Sequence, residues 1–303
     1  MLKIRRWLRR GGFHLLTATA RVSALGGPET VRLVGYLLGT LHYRLGRRKR
    51  RNLLKQMGTL MPDRRTDDRL QTDLHEAYRV NDRAILEVLA AYSGALKPGQ
   101  VAEMCSLDQI QRLDRSLAQG RGAVLLGMHM GNGIALAIHL ARAGYPVSVV
   151  YRESKKIRPT FFARGIARNG LQAIPAQPAA AGFRRMLRAL KNGGIVFILM
   201  DQASRTGGVP ARFLGKDLDM PPGPAELSRR TGAPLIPLLL TGAEQGWQFR
   251  LAKPLHLDPS RPIAHEVKIL AGIMEAHILE HPQWWTWHQR RWSRYPFGPP
   301  ICT

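Results

Sequence analysis

The chain has 303 residues, of which 46 are lysine or arginine and 21 are aspartate or glutamate, so its formal net charge at pH 7 is +25. This length suffices for one large α/β domain or two smaller ones. The cationic excess favours a negatively charged partner, although an arginine-rich composition spread over solvated faces is the alternative. Cys105 and Cys302 are the only cysteines and lie in no CxxC or Cys/His cluster, which argues against a disulfide framework and a structural zinc site. We expect no bound metal.

The N-terminal region has the pattern of a membrane-surface segment. Residues 1–21 interleave cations with apolar side chains and include Trp7, a composition typical of an amphipathic helix lying in a membrane interface. A second helix, predicted over 31–46, has an uncharged run of residues 33–43 only, which falls short of the roughly twenty residues that a spanning helix needs. We therefore predict two regions, membrane-docking helices in 1–60 and an α/β domain in 61–303.

A run of five cations at residues 47–51 follows the second helix. Anionic lipid of a cytoplasmic leaflet would attract each of them by about 1 kcal/mol near the surface. Nucleic acid is the competing partner, but no RNP, zinc-finger or KH pattern accompanies the run. The sequence therefore favours anionic membrane lipid and predicts no nucleic-acid partner.

Strands and helices alternate through the rest of the chain, after a helical pattern over 66–95. The predicted strands are 123–126, 147–151, 171–174, 195–200, 234–240 and 248–251, and the predicted helices are 134–143, 158–169, 179–191, 221–230 and 263–280. Strand, helix and strand in succession close into a parallel sheet by the right-handed crossover rule. The expected fold is α/β, with a mixed, largely parallel central sheet flanked by helices.

One histidine lies at the functional edge of that sheet. The stretch Gly122-Ala-Val-Leu-Leu-Gly-Met-His-Met-Gly-Asn-Gly133 runs from a buried strand into a helix, so His129 follows the carboxyl end of a strand, where open α/β sheets bind ligands. Asp201 and Gln202 follow strand 195–200 and belong to the same edge. A packed histidine without catalytic function is one alternative, and a dinucleotide-binding turn is another, although Leu136 occupies its third glycine position.

Several short segments, in this order and spacing, give the chain a family likeness. It resembles the bacterial lipid A late acyltransferases, the lauroyl/myristoyl transferase branch of the lysophospholipid acyltransferase superfamily. The segments are Arg51-Asn-Leu53, Leu125-Leu-Gly-Met-His-Met-Gly-Asn132, Met200-Asp-Gln202, Arg212-Phe-Leu-Gly215 with Pro222-Gly223, Arg230-Thr-Gly-Ala-Pro-Leu-Ile-Pro237 and Trp287-His-Gln-Arg-Arg291.

The resemblance implies an acyltransferase of the cytoplasmic face of the cell inner membrane, attached peripherally. Its donor would be a fatty acyl thioester of acyl carrier protein or coenzyme A, its acceptor a hydroxyl of a glycolipid or related molecule, and it would need no cofactor. Because an alcohol is a poor nucleophile at neutral pH, His129 would take its proton as general base. An acidic acyl carrier protein would also be attracted by the positive charge.

The chain departs from the family at the residue that orients the histidine. In the family an aspartate or glutamate lies five positions after the histidine, and here that position is Ile134. Three explanations remain open. Another carboxylate, Asp201 first and Glu153 second, approaches His129 in space; or His129 works alone on an activated acceptor; or the chain has lost transfer chemistry and only binds lipid or carrier protein.

Five further residues are predicted to bind substrate. Asn132 follows the family's Gly-Asn pair and would orient His129 or the acceptor, with helix N-capping as its alternative. Arg164 and Arg168 match the region where the family keeps arginines near the acceptor phosphate or thioester. The alternative for these two arginines is a solvated helix face. Arg152, at the end of a strand, and Gln202 complete the set.

Overall fold

The computed structural model describes residues 2–64, 68–152, 160–204 and 207–298. Its helices are α1 (Leu2–Ser23), α2 (Gly27–Leu45), α3 (Arg47–Leu60), α4 (Arg69–Ser93), α5 (Pro98–Glu103), α6 (Gln111–Leu117), α7 (Gly133–Arg142), α8 (Phe161–Arg168), α9 (Ala179–Lys191), α10 (Gly223–Thr231), α11 (Ile263–Glu280) and α12 (Arg290–Ser293). Its strands are β1 (Cys105–Asp108), β2 (Ala123–Gly127), β3 (Val147–Tyr151), β4 (Gln172–Pro175), β5 (Ile195–Leu199), β6 (Val209–Phe213), β7 (Lys216–Met220), β8 (Leu235–Gly242) and β9 (Trp247–Leu251). Glu153, Cys302 and the side chain of Trp7 lie outside the described part.

Seven strands form the central sheet, in the order β1-β9-β8-β2-β5-β3-β4. The pairs from β8 to β4 are parallel, whereas β8 and β9 are antiparallel, so β9 and its parallel neighbour β1 run against the rest. β2 is buried along its whole length, as expected for a central strand covered by helices on both faces. The predicted α/β class with a mixed, largely parallel sheet is confirmed.

The sequence pattern located the long elements well and missed the short ones. Helices α9 and α11 begin and end at the predicted residues. The four-residue edge strand β1, the seven-residue helix α6 and the antiparallel hairpin β6–β7 were not predicted. The hairpin turns through Leu214 and Gly215, both at positive φ.

Helix α2 has two opposite faces that differ in burial. Val31, Gly35 and Gly39 form one buried stripe, and a Cβ on Gly35 would lie 2.5 Å from the Cα of Arg83. Glycine is therefore required there, because α2 and α4 approach backbone to backbone. Within the described part of the chain, no helix is long and apolar enough to cross a bilayer. The division into 1–60 and 61–303 stays a prediction.

The C-terminal aromatic cluster is part of the core. Trp285, Trp287 and Trp292 have no exposed surface, and their rings meet edge to face at centroid distances of 4.9 to 5.4 Å. Such perpendicular contacts add stability beyond the buried area alone. These three tryptophans therefore pack the segment that follows α11 against the sheet.

Candidate active site

The pairing of two central strands sets His129 beside Asp201. β2 and β5 are neighbours in parallel register, and their last residues, Gly127 and Leu199, are partners. His129 lies two residues beyond the first strand end and Asp201 two residues beyond the second. Equal offsets from paired residues of parallel strands bring both side chains to the same point of the carboxyl edge, where open α/β sheets bind ligands.

The two side chains form a hydrogen-bonded pair. His129 Nδ1 lies 2.7 Å from Asp201 Oδ1, and the backbone N–H of His129 donates to Asp201 Oδ2 at 2.8 Å. The Asp201 side chain is fully buried and that of His129 is 30% exposed. Because an ionised carboxylate only accepts hydrogen bonds, we assign the ring proton to Nδ1, which leaves the Nε2 lone pair facing outward.

Asp201 is held ionised inside the protein. Burial alone would raise the pKa of this carboxyl, but the positive charge that His129 acquires and the hydrogen bonds from His129 and Trp285 outweigh burial, so its pKa lies below the usual value. A buried ionised carboxylate stabilises an imidazolium and fixes the ring orientation. The pair is therefore suited to a histidine that gains a proton at Nε2.

The segment after α11 closes over this pair. Trp285 Nε1 donates to Asp201 Oδ2 at 2.8 Å, and Thr286 Oγ1 donates to the backbone carbonyl of His129 at 2.9 Å. The sequence analysis did not predict this contact. A buried indole N–H needs a hydrogen-bond acceptor. The Trp-rich segment, taken together with an aspartate after a buried strand, was therefore the sequence signal that could have indicated the contact between Trp285 and Asp201.

The side-chain amide of Gln202 contacts Nε2, the outward-facing ring nitrogen of His129. Its Nε2 lies 3.0 Å from His129 Nε2, with the amide orientation assigned from the hydrogen-bond network. In this arrangement the amide donates to the lone pair that a general base needs. An incoming hydroxyl must take the place of the Gln202 amide before proton transfer, so Gln202 lies where a substrate would bind.

The turn after His129 requires glycine at its tightest point. Gly131 has φ +61°, and a Cβ at this position would lie 2.8 Å from the ring of Trp247. The positive φ is strained for other residues, and the indole leaves no room for a side chain. Trp247 therefore forms the wall that fixes the path of the backbone between His129 and α7.

Asn132 faces away from His129 and caps α7. Its Oδ1 accepts from the N–H of Ala135 at 3.0 Å, and its Nδ2 donates to Glu87 Oε2 at 2.9 Å. The side chain is 2% exposed and both of its polar ends are engaged. The structure shows the capping alternative, and a contact of Asn132 with substrate stays a prediction.

Glu87 is a buried residue that sequence reasoning missed. Its carboxylate has no exposed surface and accepts from Arg83 Nε at 2.7 Å, from Trp247 Nε1 at 2.6 Å and from Asn132. The guanidinium of Arg83 also lies over the Trp247 ring, 4.0 Å from its centroid. One carboxylate thus ties α4 to the cap of α7 and to the wall behind Gly131. An arginine and a glutamate four residues apart in a helix are typical of a surface ion pair. The sequence therefore did not indicate that Arg83 and Glu87 are buried.

The three predicted arginines lie apart from the histidine. Arg152 is exposed just beyond β3, at the carboxyl edge of the sheet. Arg164 and Arg168 line a 490 Å³ cavity together with residues of α1 and α4, and His129 is not among its lining residues. Of the two carboxylates predicted to replace the family's acid, Asp201 contacts His129, and Glu153 lies outside the described residues.

Two side-chain groups among the described residues could offer three ligand atoms to a metal ion within 4.8 Å of one another. They are His42, Asp82 and His288, and His277, Glu280 and His281. In the first group Asn81 Nδ2 donates to Asp82 at 2.9 Å and lies 3.1 Å from His288 Nε2. Neither group includes His129 or Asp201. The absence of a required metal stays a prediction.

Comparison with known protein families gives one match over nearly the whole chain. The model of the bacterial lipid A biosynthesis acyltransferase family matches residues 2–294. This match confirms the family resemblance seen in the sequence motifs.

Individual relatives are more distant. The chain is 28% identical over 188 residues to a phosphatidylinositol mannoside acyltransferase of Mycobacterium tuberculosis (strain CDC 1551 / Oshkosh), an alignment that covers 60% of this chain and 58% of that protein. It is 26% identical over 203 residues to the protein of the same name from Mycolicibacterium smegmatis, covering 65% and 66%. The chain thus matches less than two thirds of the length of these relatives.

Among solved structures, the chain is similar to the 1-acyl-sn-glycerophosphate (LPA) acyltransferase PlsC from Thermotoga maritima. The sequence identity is 13%, the alignment covers 81% of this chain and 98% of that one, and the TM-score is 0.38.

Proposed function

The chain belongs to the bacterial lipid A biosynthesis acyltransferase family, and from that premise we propose that it transfers a fatty acyl chain from a thioester to a hydroxyl of a glycolipid. The observation that carries the proposal is the pairing of His129 with Asp201. This pairing supports the explanation that another carboxylate replaces the family acid. Asp201, at the end of the neighbouring strand, contacts His129, whereas the apolar side chain of Ile134 cannot. The proposal therefore needs neither an unusually acidic acceptor nor a loss of chemistry.

His129 is the proposed general base. Its Nε2 takes the proton of the acceptor hydroxyl as the hydroxyl oxygen attacks the thioester carbonyl carbon, and Asp201 stabilises the imidazolium that forms. The tetrahedral intermediate then collapses, the carbon–sulfur bond breaks, and the proton on Nε2 passes to the departing thiolate. The products are an ester and a free thiol, so atoms and charge balance without any cofactor.

The oxyanion of the tetrahedral intermediate needs hydrogen-bond donors. The first turn of a helix has backbone N–H groups without intrahelical partners, and α7 begins four residues after His129. We assign the oxyanion to this turn, at Gly133 and Ile134, since the N–H of Ala135 is already capped by Asn132. Gln202 leaves the Nε2 atom as the acceptor hydroxyl arrives and then contacts the bound substrate.

The acceptor class follows from the relatives. The family description refers to lipid A and the similar mycobacterial proteins act, by their names, on phosphatidylinositol mannoside. Both are glycolipids, so a sugar hydroxyl of a membrane glycolipid is the acceptor that we propose. The donor is a thioester of acyl carrier protein or of coenzyme A, and the net charge of +25 would attract either of these anionic molecules.

We also propose that α1 and α2 dock the protein on an anionic membrane, at the cytoplasmic face of the inner membrane. The large hydrophobic side chains exposed on these helices and their connection are Leu15, Leu16, Val22, Leu25, Leu33, Leu37, Leu41 and Leu45. On α2 the leucines recur every fourth residue, on the face opposite the buried stripe of Val31, Gly35 and Gly39. An apolar face of this extent on otherwise well-packed helices marks an interaction surface.

The charge beside that apolar face favours a bilayer over a protein partner. The cationic run directly after Leu45 begins α3, and its members Arg47, Arg48 and Arg51 are exposed. Apolar side chains flanked by cations suit the acyl boundary and the anionic headgroups of a membrane surface. Pelleting with vesicles of phosphatidylcholine and phosphatidylglycerol should be lost in Leu33→Ser/Leu37→Ser. Tighter binding to duplex DNA than to these vesicles would instead favour nucleic acid.

Transfer from radiolabelled acyl carrier protein, and in parallel acyl coenzyme A, into glycolipid acceptors tests the catalytic proposal. His129→Ala should abolish the labelled lipid, whereas His256→Ala, which changes an exposed histidine far along the chain, should leave it unchanged. Label at background with the unaltered protein, together with saturable binding of acyl carrier protein or lipid, would replace catalysis by a binding function on the same fold.

A further inference from the structure

A cavity lies between α1, α4 and α8. The 490 Å³ cavity there has a cationic side formed by Arg21, Arg164 and Arg168, with His14 also in its lining, and an aromatic side that includes Phe13 and Phe161. No described carboxylate lines it. Phe13 and Phe161 pack edge to face with ring centroids 5.2 Å apart, so the aromatic side is formed jointly by α1 and α8.

The three arginines of this cavity differ in how they are held. Arg168 is fixed, because its Nη1 donates to the backbone carbonyl of Tyr92 at 2.8 Å. Arg21 and Arg164 are exposed, and neither has an ion pair among the described residues. Converging guanidinium groups without acidic partners attract a ligand that carries a phosphate or carboxylate, and arginine can contact such a group with two parallel hydrogen bonds.

The position of the cavity identifies the source of the anion. α1 contributes its cavity-lining face, and its exposed Leu15, Leu16 and Val22 belong to the proposed membrane-docking surface. A lipid whose chains remain in the bilayer would therefore bring its headgroup phosphate directly to Arg21 and Arg164.

The cavity is separate from the catalytic pair. Asn81 of α4 accepts from Thr286, which contacts His129, whereas Arg168 contacts α4 at Tyr92. These two points of α4 are three helical turns apart, about 16 Å at 1.5 Å per residue. A headgroup held by Arg21 and Arg164 thus leaves the Nε2 atom of His129 free for another molecule.

We infer that the cavity between α1, α4 and α8 binds the phosphate-bearing headgroup of a bilayer lipid that is not the acyl acceptor. The ligand bridges α1 and α8 and so orients the docked protein. The inference rests on the proposed membrane docking but not on acyl transfer. Binding and transfer can therefore fail independently of each other.

Calorimetric titration with dihexanoylphosphatidylglycerol, kept monomeric, tests the site without a vesicle surface. The unaltered protein should bind this lipid saturably and one to one. In Arg21→Gln/Arg164→Gln the dissociation constant should rise at least about tenfold, because hydrogen bonds to a charged group are lost at both positions. The matched control is Arg184→Gln/Arg188→Gln, which removes two exposed arginines from α9 at the spacing of Arg164 and Arg168 and should bind like the unaltered protein.

Three further arms identify the ligand. Dihexanoylphosphatidylcholine, inorganic phosphate and coenzyme A should each bind more weakly than the anionic lipid, and equal or tighter binding by any of them would overturn the assignment to an anionic lipid headgroup. Unchanged lipid binding in the Arg21→Gln/Arg164→Gln variant, with an unchanged melting temperature, would overturn the site itself. A raised KM for a water-soluble, short-chain glycolipid acceptor in that variant, assayed without a bilayer, would show that the cavity holds the acceptor and would overturn its separation from the reaction.

Discussion

Replacing Asp201 by asparagine tests the catalytic pair with almost no change in shape. The carboxylate accepts three hydrogen bonds, from His129 Nδ1 on Oδ1 and from His129 N and Trp285 Nε1 on Oδ2. An amide has one accepting oxygen and one donating nitrogen. The orientation that satisfies more partners places the oxygen toward the two donors at Oδ2 and the NH₂ group toward His129 Nδ1.

This orientation inverts the tautomer of His129. With an NH₂ donor facing it, Nδ1 must carry the lone pair, so the proton moves to Nε2 and the nitrogen that should accept the substrate proton is already protonated. The same exchange in a serine protease lowers turnover by about 10⁴, and we expect a fall of about that size here. The fold should persist, at a cost of about 1 to 3 kcal/mol for hydrogen bonds that lose their charged acceptor.

Turnover with acyl thioester and ¹⁵N chemical shifts of the His129 ring measure the two effects separately. The unaltered protein should show a protonated Nδ1 and a bare Nε2, and Asp201→Asn the reverse. Asp108→Asn is the control, because this exposed carboxylate ends β1, which runs against β2 and therefore ends at the opposite edge of the sheet. Turnover within about tenfold of the unaltered protein in a folded Asp201→Asn variant would refute the assigned role, since it leaves less than 1.4 kcal/mol to the carboxylate.

The remaining predictions concern the supports of the site and its response to acid. Trp285→Phe removes a donor to the buried Asp201 carboxylate, so the free energy of unfolding should fall by about 1.5 to 3 kcal/mol and turnover should fall with it. Gly131→Ala forces a side chain into positive φ against Trp247, so the melting temperature should drop and turnover should decline through displacement of His129. His277→Gln tests a buried histidine whose pKa is lowered to about 4, first by burial and then by the charge of His281. Because unfolded His277 binds a proton below its ordinary pKa of 6.5 and the folded residue does not, the stability of the unaltered protein should fall between pH 6.5 and 4, by at most about 3 kcal/mol from this residue. The glutamine keeps an N–H that can donate to the carbonyl of Leu240, and it does not titrate. In His277→Gln the free energy of unfolding should therefore fall less steeply between pH 6.5 and 4.

Each of these outcomes has a matched contrast. Trp284→Phe changes a partly exposed indole stacked on His281 and should have little effect on turnover. Gly272→Ala adds a methyl group in a helix where it meets nothing within 4 Å, and it should stabilise or be neutral. His256→Gln, at an exposed position, should leave the acid slope unchanged. An identical slope in His277→Gln and in the unaltered protein would contradict the buried, neutral state of His277.

The sequence sufficed where the fold depends on long periodic segments. Apolar residues recur every three to four positions in α9 and α11, and uninterrupted apolar runs span β2 and β5, so these elements could be predicted from pattern alone. The hairpin β6–β7 and the edge strand β1 carry too few residues for a pattern, and their pairing depends on partners remote in sequence. Likewise, the sequence placed Asp201 and Gln202 at the edge of His129, because parallel strands share that edge, but it did not predict Trp285, which arrives from beyond α11.

The departure at Ile134 has a structural consequence for how the site tolerates change. A carboxylate on the first turn of α7 would depend on the turn through Gly131 and Asn132, because four residues of loop and helix would separate it from the histidine. Asp201 depends instead on the pairing of Gly127 with Leu199, which is fixed by the ladder between two buried strands. The position of Asp201 is thus fixed by the sheet, whereas His129 lies in the turn that leads to α7. Ile134 is then free to pack against the core, and the start of α7 can vary without separating His129 from its carboxylate.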